Sequence, residues 1–284
     1  MMKTVTINQQ TMPAVGIGTW HMGDSAASHK DEVAAIQAAI NAGAVAIDTA
    51  EMYGNGRSER LVGEAIHPFD RQQLFLIDKV LPSNASHARL EQSLDRSLNL
   101  VGTDYFDLYL LHWRSGTIPL AETVDELERM QAKGKIKSWG VSNFDTSDLE
   151  ELWQLPAGDH CAANEDLYNL DERGIEFDLI PWQAHHQLPL IAYSPLAEAD
   201  TISGQLSHNK LLKELASNHH ASVYQVMLAW TIRNGNVLTI PKAGQVQHAL
   251  DNVKAGEITF SEDELAALTQ AFPKPKRKQS LAII

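Results

Sequence analysis

The stretch Val45-Ala46-Ile47-Asp48 shows the pattern that decides the fold, in which a short apolar run ends in one ionisable side chain. The same arrangement recurs along the chain, where runs of strand length are followed by polar residues. The predicted strands are Val15–Gly18, Val45–Ile47, Leu74–Ile77, Phe106–Leu111, Ile136–Val141, Cys161–Ala163, Leu190–Ala192 and Val237–Ile240. The polar residues at their ends are Asp48, Lys79, His112, Ser142, Asn143, Asn164, Glu165, Tyr193, Ser194 and Lys242.

Longer segments between these runs have apolar residues three and four positions apart, as the buried face of a helix requires. The clearest are Glu32–Ala42, Arg89–Leu100, Val124–Lys133 and Val223–Arg233. Connections of this length join parallel strands through crossover helices. Eight such strands form either a closed barrel or a doubly wound sheet.

Two observations favour the barrel. Polar residues follow seven successive strands, and a barrel collects functional groups at the carboxyl ends of many strands, whereas a doubly wound sheet uses one crevice. Gly16 and Gly18 also lack the third glycine of a dinucleotide-binding turn. The sequence therefore predicts an α/β fold, a (β/α)8 TIM barrel with an N-terminal β-hairpin starting at Lys3, in a single domain over residues 1–284.

Composition limits the classes of partner. The formal net charge of -13 argues against a nucleic-acid-binding surface, and we expect the basic segment Lys274–Lys278 to be a solvated terminus. Cys161 is the single cysteine, which fits a reducing, cytoplasmic location. No apolar run approaches the roughly 18 residues of a membrane span. The adjacent pairs His185-His186 and His219-His220 do not have metal-ligand spacing, so no metal site is predicted.

Asp48, Tyr53, Lys79 and His112 each have an ordinary structural explanation when taken alone, such as a turn cap or a buried histidine. A barrel brings them together at one mouth, which changes the interpretation. A phenol is a poor acid at neutral pH unless a cation stabilises the phenolate. Lys79 is the expected cation and Asp48 its counter-charge. Tyr53 would then protonate a carbonyl oxygen that His112 orients by a hydrogen bond, while a reduced nicotinamide supplies hydride.

These residues resemble the aldo-keto reductases over nearly the whole chain. The family's catalytic tetrad corresponds to Asp48, Tyr53, Lys79 and His112, and three further segments match the family: Gly140–Phe144, Ala192–Leu196 and Ile240–Lys242. The resemblance implies NADP as the cofactor. It implies that Ser142 and Asn143 hold the nicotinamide carboxamide, that Tyr193 stacks on the ring, that Ser194 and Leu196 belong to the same cofactor-binding segment, and that Lys242 contacts the adenosine 2′-phosphate with Asp251 and Asn252 near the adenine.

Two positions depart from the family pattern. Glu165 stands where a glutamine is usual, and a carboxylate accepts hydrogen bonds without donating them. We hypothesise that an ionised Glu165 favours the oxidised cofactor; the alternative is that it turns away to a basic partner. His248 stands where NADP-preferring members often carry arginine. A neutral imidazole is a weaker phosphate clamp, so NAD is retained as a second expected cofactor.

The expected substrate wall is apolar and consists of Trp20, Trp113 and Leu81, with contributions from Met22 and Met52. Only a short tail follows the last predicted helix, near Ser261–Ala271, so an open site for small aldehydes is expected. The chain is most similar to bacterial members that reduce methylglyoxal and related 2-oxoaldehydes, and the resemblance implies a monomer.

Two other functions stay open at this point. In a lyase or aldolase, Lys79 would form a Schiff base with the substrate. In a non-enzymatic regulator, the barrel would bind the cofactor and serve a protein partner.

Overall fold

The computed structural model describes residues 2–197 and 206–284 and begins with the expected hairpin. Strands β1 (Thr4–Ile7) and β2 (Gln10–Pro13) pair antiparallel, with Ile7 opposite Gln10. The two residues between them, Asn8 and Gln9, have φ of 45° and 65°. A tight two-residue turn requires this left-handed backbone.

Eight further strands, counted within the described ranges, form one parallel sheet that closes into a barrel. Neighbours along the chain are neighbours in the sheet throughout, and parallel bridges from Val15 to Thr239 and from Gly18 to Lys242 join the first strand to the last. The strands are β3 (Ile17–Gly18), β4 (Ala46–Asp48), β5 (Phe75–Val80), β6 (Leu108–Leu111), β7 (Trp139–Ser142), β8 (Asn164–Leu167), β9 (Leu190–Tyr193) and β10 (Val237–Thr239).

Helices cover the outside of the barrel. They are α1 (His29–Asn41), α2 (Arg57–Ile66), α3 (Leu90–Val101), α4 (Leu120–Ala132), α5 (Thr146–Leu152), α6 (Leu179–His185), α7 (Lys210–Asn218), α8 (Val223–Thr231), α9 (Val246–Lys254) and α10 (Glu262–Ala271). Their buried faces follow the helical period; α3, for example, buries Leu90, Leu94 and Leu98. Ser222 and Gln225 form a capping box that fixes the start of α8.

Strand alternation divides the core into two parts. Phe75 and Ile77 of β5 lie in the cluster that fills the barrel interior, whereas Leu76 and Val80 lie in the cluster beneath the helices. The hairpin residues Val5, Ile7 and Met12 belong to the interior cluster. The hairpin therefore closes one end of the barrel, and the carboxyl ends of the strands surround the other.

One predicted strand was wrong in position. The apolar run Cys161–Ala163 precedes the strand, and the paired residues are Asn164–Leu167. Asn164, Glu165 and Asp166 are all buried even though they are polar or acidic. Hydrophobicity therefore placed the strand too early, because this strand carries its polar groups within the sheet instead of after it.

Among the residues that the structure describes, no helix is long and apolar enough to cross a membrane.

Candidate active site

The two-residue period of the strands points one polar side chain per strand into the mouth of the barrel. At seven strands a polar residue, within the strand or just after it, comes two positions after a small or apolar residue of the barrel wall, so both face the interior. The pairs are Ala46 and Asp48, Ile77 and Lys79, Leu110 and His112, Gly140 and Ser142, Ala163 and Glu165, Ile191 and Tyr193, and Ile240 and Lys242. The packing of the apolar residues inside the barrel therefore positions the polar side chains at its mouth.

Lys79 and Asp48 form a fully buried ion pair. The Nζ of Lys79 is 2.6 Å from both carboxylate oxygens of Asp48, and it also donates to the backbone carbonyl of Thr49 at 3.3 Å. Burial by itself would lower the pKa of Lys79, but attraction to Asp48 and Glu165 outweighs burial and raises the pKa well above its ordinary value. Lys79 is therefore a permanent cation at neutral pH.

Tyr53 follows β4 on a short 3-10 turn, Tyr53–Asn55, which returns its ring over the ion pair. Its hydroxyl is 3.4 Å from the Nζ of Lys79, and the ammonium lies 5.2 Å from the centre of the ring. Burial raises the pKa of Tyr53, and Lys79 opposes that rise. The phenol is therefore protonated at rest, beside a cation that stabilises its conjugate base.

His112 completes the group as a neutral imidazole. Its ring centre is 5.8 Å from that of Tyr53, and its Nδ1 is buried without a hydrogen-bond partner among the described residues. Burial, and then repulsion from Lys79, lower the pKa of His112 to about 3. A neutral imidazole has one N–H to donate, which suits a carbonyl oxygen.

Asn143 links three strands on the opposite wall. Its amide nitrogen donates to the backbone carbonyl of His112 and to Ser142 Oγ, both at 3.1 Å, and its amide oxygen accepts from the hydroxyl of Tyr193 at 2.8 Å. Ser142 Oγ in turn donates to the carbonyl of Glu165 at 2.9 Å. These bonds hold the expected carboxamide-binding residues and the expected stacking tyrosine in fixed positions.

Glu165 lies inside the cleft and contacts a basic group at the same time. Its Oε1 is 3.3 Å from the Nζ of Lys79, and its Oε2 has no hydrogen-bond partner within the described ranges. The sequence-based alternatives were a cleft-facing carboxylate and one turned to a basic partner. The structure combines them, because the basic partner is Lys79 itself.

A cleft of about 570 Å³ opens above these groups. Of the predicted substrate wall, Trp20, Trp113 and Met52 line it, and all three are partly exposed. Met22 and Leu81 are not among its lining residues: Met22 is fully buried in the core beneath the helices, and the backbone N–H of Leu81 donates to the carboxylate of Glu51.

The sequence did not predict several other lining residues, of which the tail matters most. Ile283 and Ile284 line the cleft, so the site is less open than expected. Lys278 anchors this tail through ion pairs to Asp145 at 2.8 Å and Asp178 at 2.5 Å. The basic side chains of Lys274–Lys278 are all exposed, as expected of a solvated segment, but Lys278 ties this part of the tail to the barrel.

The expected adenosine-binding residues lie along β10 and α9. Ser194, Leu196 and Lys242 line the cleft, and the side chain of Lys242 is exposed. Three residues of α9 are not among the cleft-lining residues. These are His248, which is exposed, Asp251, which accepts a hydrogen bond from Gln247, and Asn252, which is buried.

No group of three or more His, Cys, Asp or Glu side chains able to hold a metal ion occurs in residues 2–197 or 206–284.

Comparison with known proteins gives a consistent result. A model of the Aldo/keto reductase family matches residues 14–272. The chain is 47% identical to methylglyoxal reductase YeaE of Escherichia coli (strain K12), covering 96% of each protein, and 31% identical to glyoxal reductase of Bacillus subtilis (strain 168), covering 91% of this chain and 88% of that protein. A solved structure of an aldo-keto reductase from Klebsiella pneumoniae in complex with NADPH has 45% sequence identity and a TM-score of 0.97, with 100% of both chains covered.

Proposed function

Because the chain belongs to the aldo/keto reductase family, we propose that it is an NADP-dependent oxidoreductase that reduces small aldehydes, methylglyoxal and related 2-oxoaldehydes first among them. One observation carries the proposal: a buried, charged Lys79 lies between the carboxylate of Asp48 and the hydroxyl of Tyr53 at the base of an apolar-walled cleft. This arrangement suits proton donation to a carbonyl group.

The residues of the cleft fit a nicotinamide cofactor. Glu165 offers a buried carboxylate oxygen without a partner in the described chain, and Tyr193 offers an aromatic face fixed by its bond to Asn143. Lys242 places an exposed cation at the same cleft, as a phosphate requires. On this proposal Ser142, Asn143 and Glu165 hold the carboxamide, Tyr193 supports the ring, and Lys242 holds the 2′-phosphate, with His248, Asp251 and Asn252 near the adenosine. NAD remains a second cofactor to test.

The chemistry then divides between cofactor and protein. A reduced nicotinamide, when bound, supplies hydride to the carbonyl carbon. Tyr53 donates its hydroxyl proton to the carbonyl oxygen, and Lys79 stabilises the phenolate that remains. Asp48 keeps Lys79 charged although its ammonium group is fully buried.

His112 orients the substrate on this proposal. Because its pKa lies near 3, its imidazole is neutral across the physiological range and donates a single hydrogen bond to the carbonyl oxygen. The bond from Asn143 to the backbone carbonyl of His112 holds this residue in place. A neutral donor orients the carbonyl without competing with Tyr53 as the proton source.

The cleft walls favour small substrates. Trp20, Trp113 and Met52 supply apolar surface, and Ile283 and Ile284 add to it from the tail. Two relatives named above are a methylglyoxal reductase and a glyoxal reductase, which supports 2-oxoaldehydes as the first class to test.

The Schiff-base alternative is disfavoured by the state of Lys79. An amine must lose its proton to attack a carbonyl, and the two short contacts to Asp48 hold this proton on Lys79. Lys79 therefore acts as a cation and not as a nucleophile.

The test is oxidation of NADPH by methylglyoxal, followed by loss of nicotinamide absorbance, with NADH in a parallel series. We expect Tyr53→Phe to lower kcat by about 10²- to 10⁴-fold while the dissociation constant for NADPH stays close to that of the wild type. NADPH binding without turnover of any small aldehyde by the wild type would contradict the proposal and favour a regulatory role.

A further inference from the structure

Glu165 places a second carboxyl group beside Lys79, and the proposed transfer of hydride and proton does not require its charge. Lys79 contacts two carboxyl groups, Asp48 at 2.6 Å and Glu165 at 3.3 Å. Both carboxyl groups therefore contact the same ammonium group. If both were ionised, the buried set would carry two negative charges against one positive charge.

The charge count indicates that one of the two carboxyl groups carries a proton. Asp48, Lys79 and Glu165 are all at most 2% exposed. One ammonium balances one carboxylate, and a second buried negative charge in contact with the first would be unpaired. One proton makes the three groups neutral as a set.

The other groups that face Glu165 do not supply the missing positive charge. Tyr53, packed from the turn after β4, and Tyr193, from β9, are phenols whose pKa values burial raises. His112, from β6, is neutral because burial and Lys79 lower its pKa to about 3. Ser142 and Asn143, from β7, carry no charge. Lys79 is therefore the single cation that the described residues place against Glu165.

We propose that Asp48 and Glu165 share one proton over Lys79, and that Glu165 releases this proton to solvent when the cleft binds oxidised, but not reduced, nicotinamide. The inference rests on the proposed function, since it takes the nicotinamide ring to lie beside Glu165. An oxidised nicotinamide ring carries a positive charge that pairs with a newly ionised carboxylate, whereas the reduced ring is neutral. Glu165 is one of the residues that line the cleft, so the cleft offers its proton a route to solvent.

Burial, followed by repulsion from Asp48, raises the pKa of Glu165 well above its ordinary value. This direction agrees with a proton that Glu165 holds in the free protein and releases when NADP+ binds. Glu165 acts here as a positioning residue, because it places a negative charge beside the ring when the bound cofactor is oxidised. It couples the redox state of the cofactor to the release of one proton, and it does not donate that proton to the substrate.

The experiment is titration calorimetry of NADP+ and of NADPH into the protein in several buffers of different ionisation enthalpy, which counts the protons released. The difference between the two cofactors cancels any proton linked to the 2′-phosphate, because both forms carry it. We expect the wild type to release up to about one more proton per site with NADP+ than with NADPH. The matched variant Glu165→Gln keeps shape and polarity without an ionisable group, and its difference should be zero.

A second readout is the ratio of the two dissociation constants as a function of pH. In the wild type, the preference for NADP+ over NADPH should increase by up to about tenfold per pH unit while Glu165 is protonated in the free protein. In Glu165→Gln the ratio should be independent of pH. An equal pH dependence in both proteins would overturn the inference while leaving the proposed function intact.

An infrared measurement on the wild type provides a result that needs no variant. The difference spectrum between the NADP+ and NADPH complexes should show loss of a protonated carboxyl band and gain of a carboxylate band. The absence of both changes would refute the proton release. Failure of the wild type to bind either cofactor would instead remove the proposed function, and the inference with it.

Discussion

Asp78 is adjacent to Lys79 in β5, yet alternation points its side chain the other way, into the layer beneath the helices. Both carboxylate oxygens are buried without a hydrogen-bond partner in the described chain. Burial, and then repulsion from Glu59, raise the pKa of Asp78 well above its ordinary value of 3.8. A group of this kind stabilises the fold below its unfolded pKa, and the stabilisation is lost as the pH rises towards the folded pKa.

We therefore expect Asp78→Asn to stabilise the protein more as the pH increases. The gain in the free energy of unfolding should grow by up to about 1.4 kcal/mol per pH unit above about pH 4, and level off above the folded pKa. Urea unfolding of both proteins between about pH 5 and pH 8 measures this. Asp125→Asn, at an exposed position on α4, serves as the control. A gain for Asp78→Asn that does not change with pH would show that Asp78 is ionised in the folded protein.

At the residue scale, the sequence predicted those site residues whose positions follow from strand alternation. Asp48 and Lys79 are found together at the barrel mouth because each sits at a fixed register on its own strand, and His112 directly follows the last residue of β6. The tail residues Ile283 and Ile284 had no such local signal. Their place depends on Lys278, which pairs with Asp145 and Asp178, 133 and 100 residues away in sequence, and one sequence does not reveal pairings of that kind.

At the scale of single elements, β7 shows how closely the strands approach inside the barrel. A Cβ atom added at Gly140 would lie 2.5 Å from the carbonyl oxygen of Ala163 and 2.8 Å from the side chain of Leu110. Both neighbours belong to adjoining walls of the barrel and have little room to move. Gly140 therefore permits the approach that places Ser142 beside Glu165.

We expect Gly140→Ala to destabilise the protein by about 1–3 kcal/mol and to weaken NADPH binding, because the displaced wall carries Ser142 and Asn143. Thermal unfolding and fluorescence titration with NADPH test the two effects. Gly116→Ala is a matched control, since Gly116 is exposed and an added Cβ there meets no atom within 4 Å. Equal effects of the two substitutions would contradict the close approach at Gly140.

Element boundaries were predicted best where polarity changes at the end of a strand. The predicted run Val45–Ile47 and the observed Ala46–Asp48 differ by one residue, whereas Cys161–Ala163 missed β8 altogether. In β8, Asn164 finds hydrogen bonds to Phe144 and Asp166 within the fold. Hydrogen bonds of this kind allow polar residues inside a strand. A strand with such residues is not detected by hydrophobic periodicity.

At the scale of the whole molecule, the two ends of the barrel have different tasks. The hairpin closes the amino-terminal end with apolar side chains, and the carboxyl-terminal end carries the ionisable groups of the proposed reaction. The fold class followed from that same asymmetry in the sequence, because seven strands deliver polar groups at one end only. Stability and chemistry should therefore be separable by substitution.

Ile7→Ala and Tyr53→Phe form the pair that tests this separation. Ile7 is fully buried in the hairpin, so its truncation should lower the free energy of unfolding by about 2–5 kcal/mol, while kcat/KM for methylglyoxal stays unchanged at temperatures where the variant is folded. Tyr53→Phe should do the opposite, abolishing most of the activity with little change in Tm. If Ile7→Ala lowered both stability and activity, the hairpin would support the geometry of the distant mouth. The cavity left at Ile7 would then change the packing of the interior cluster as far as the other end of the barrel.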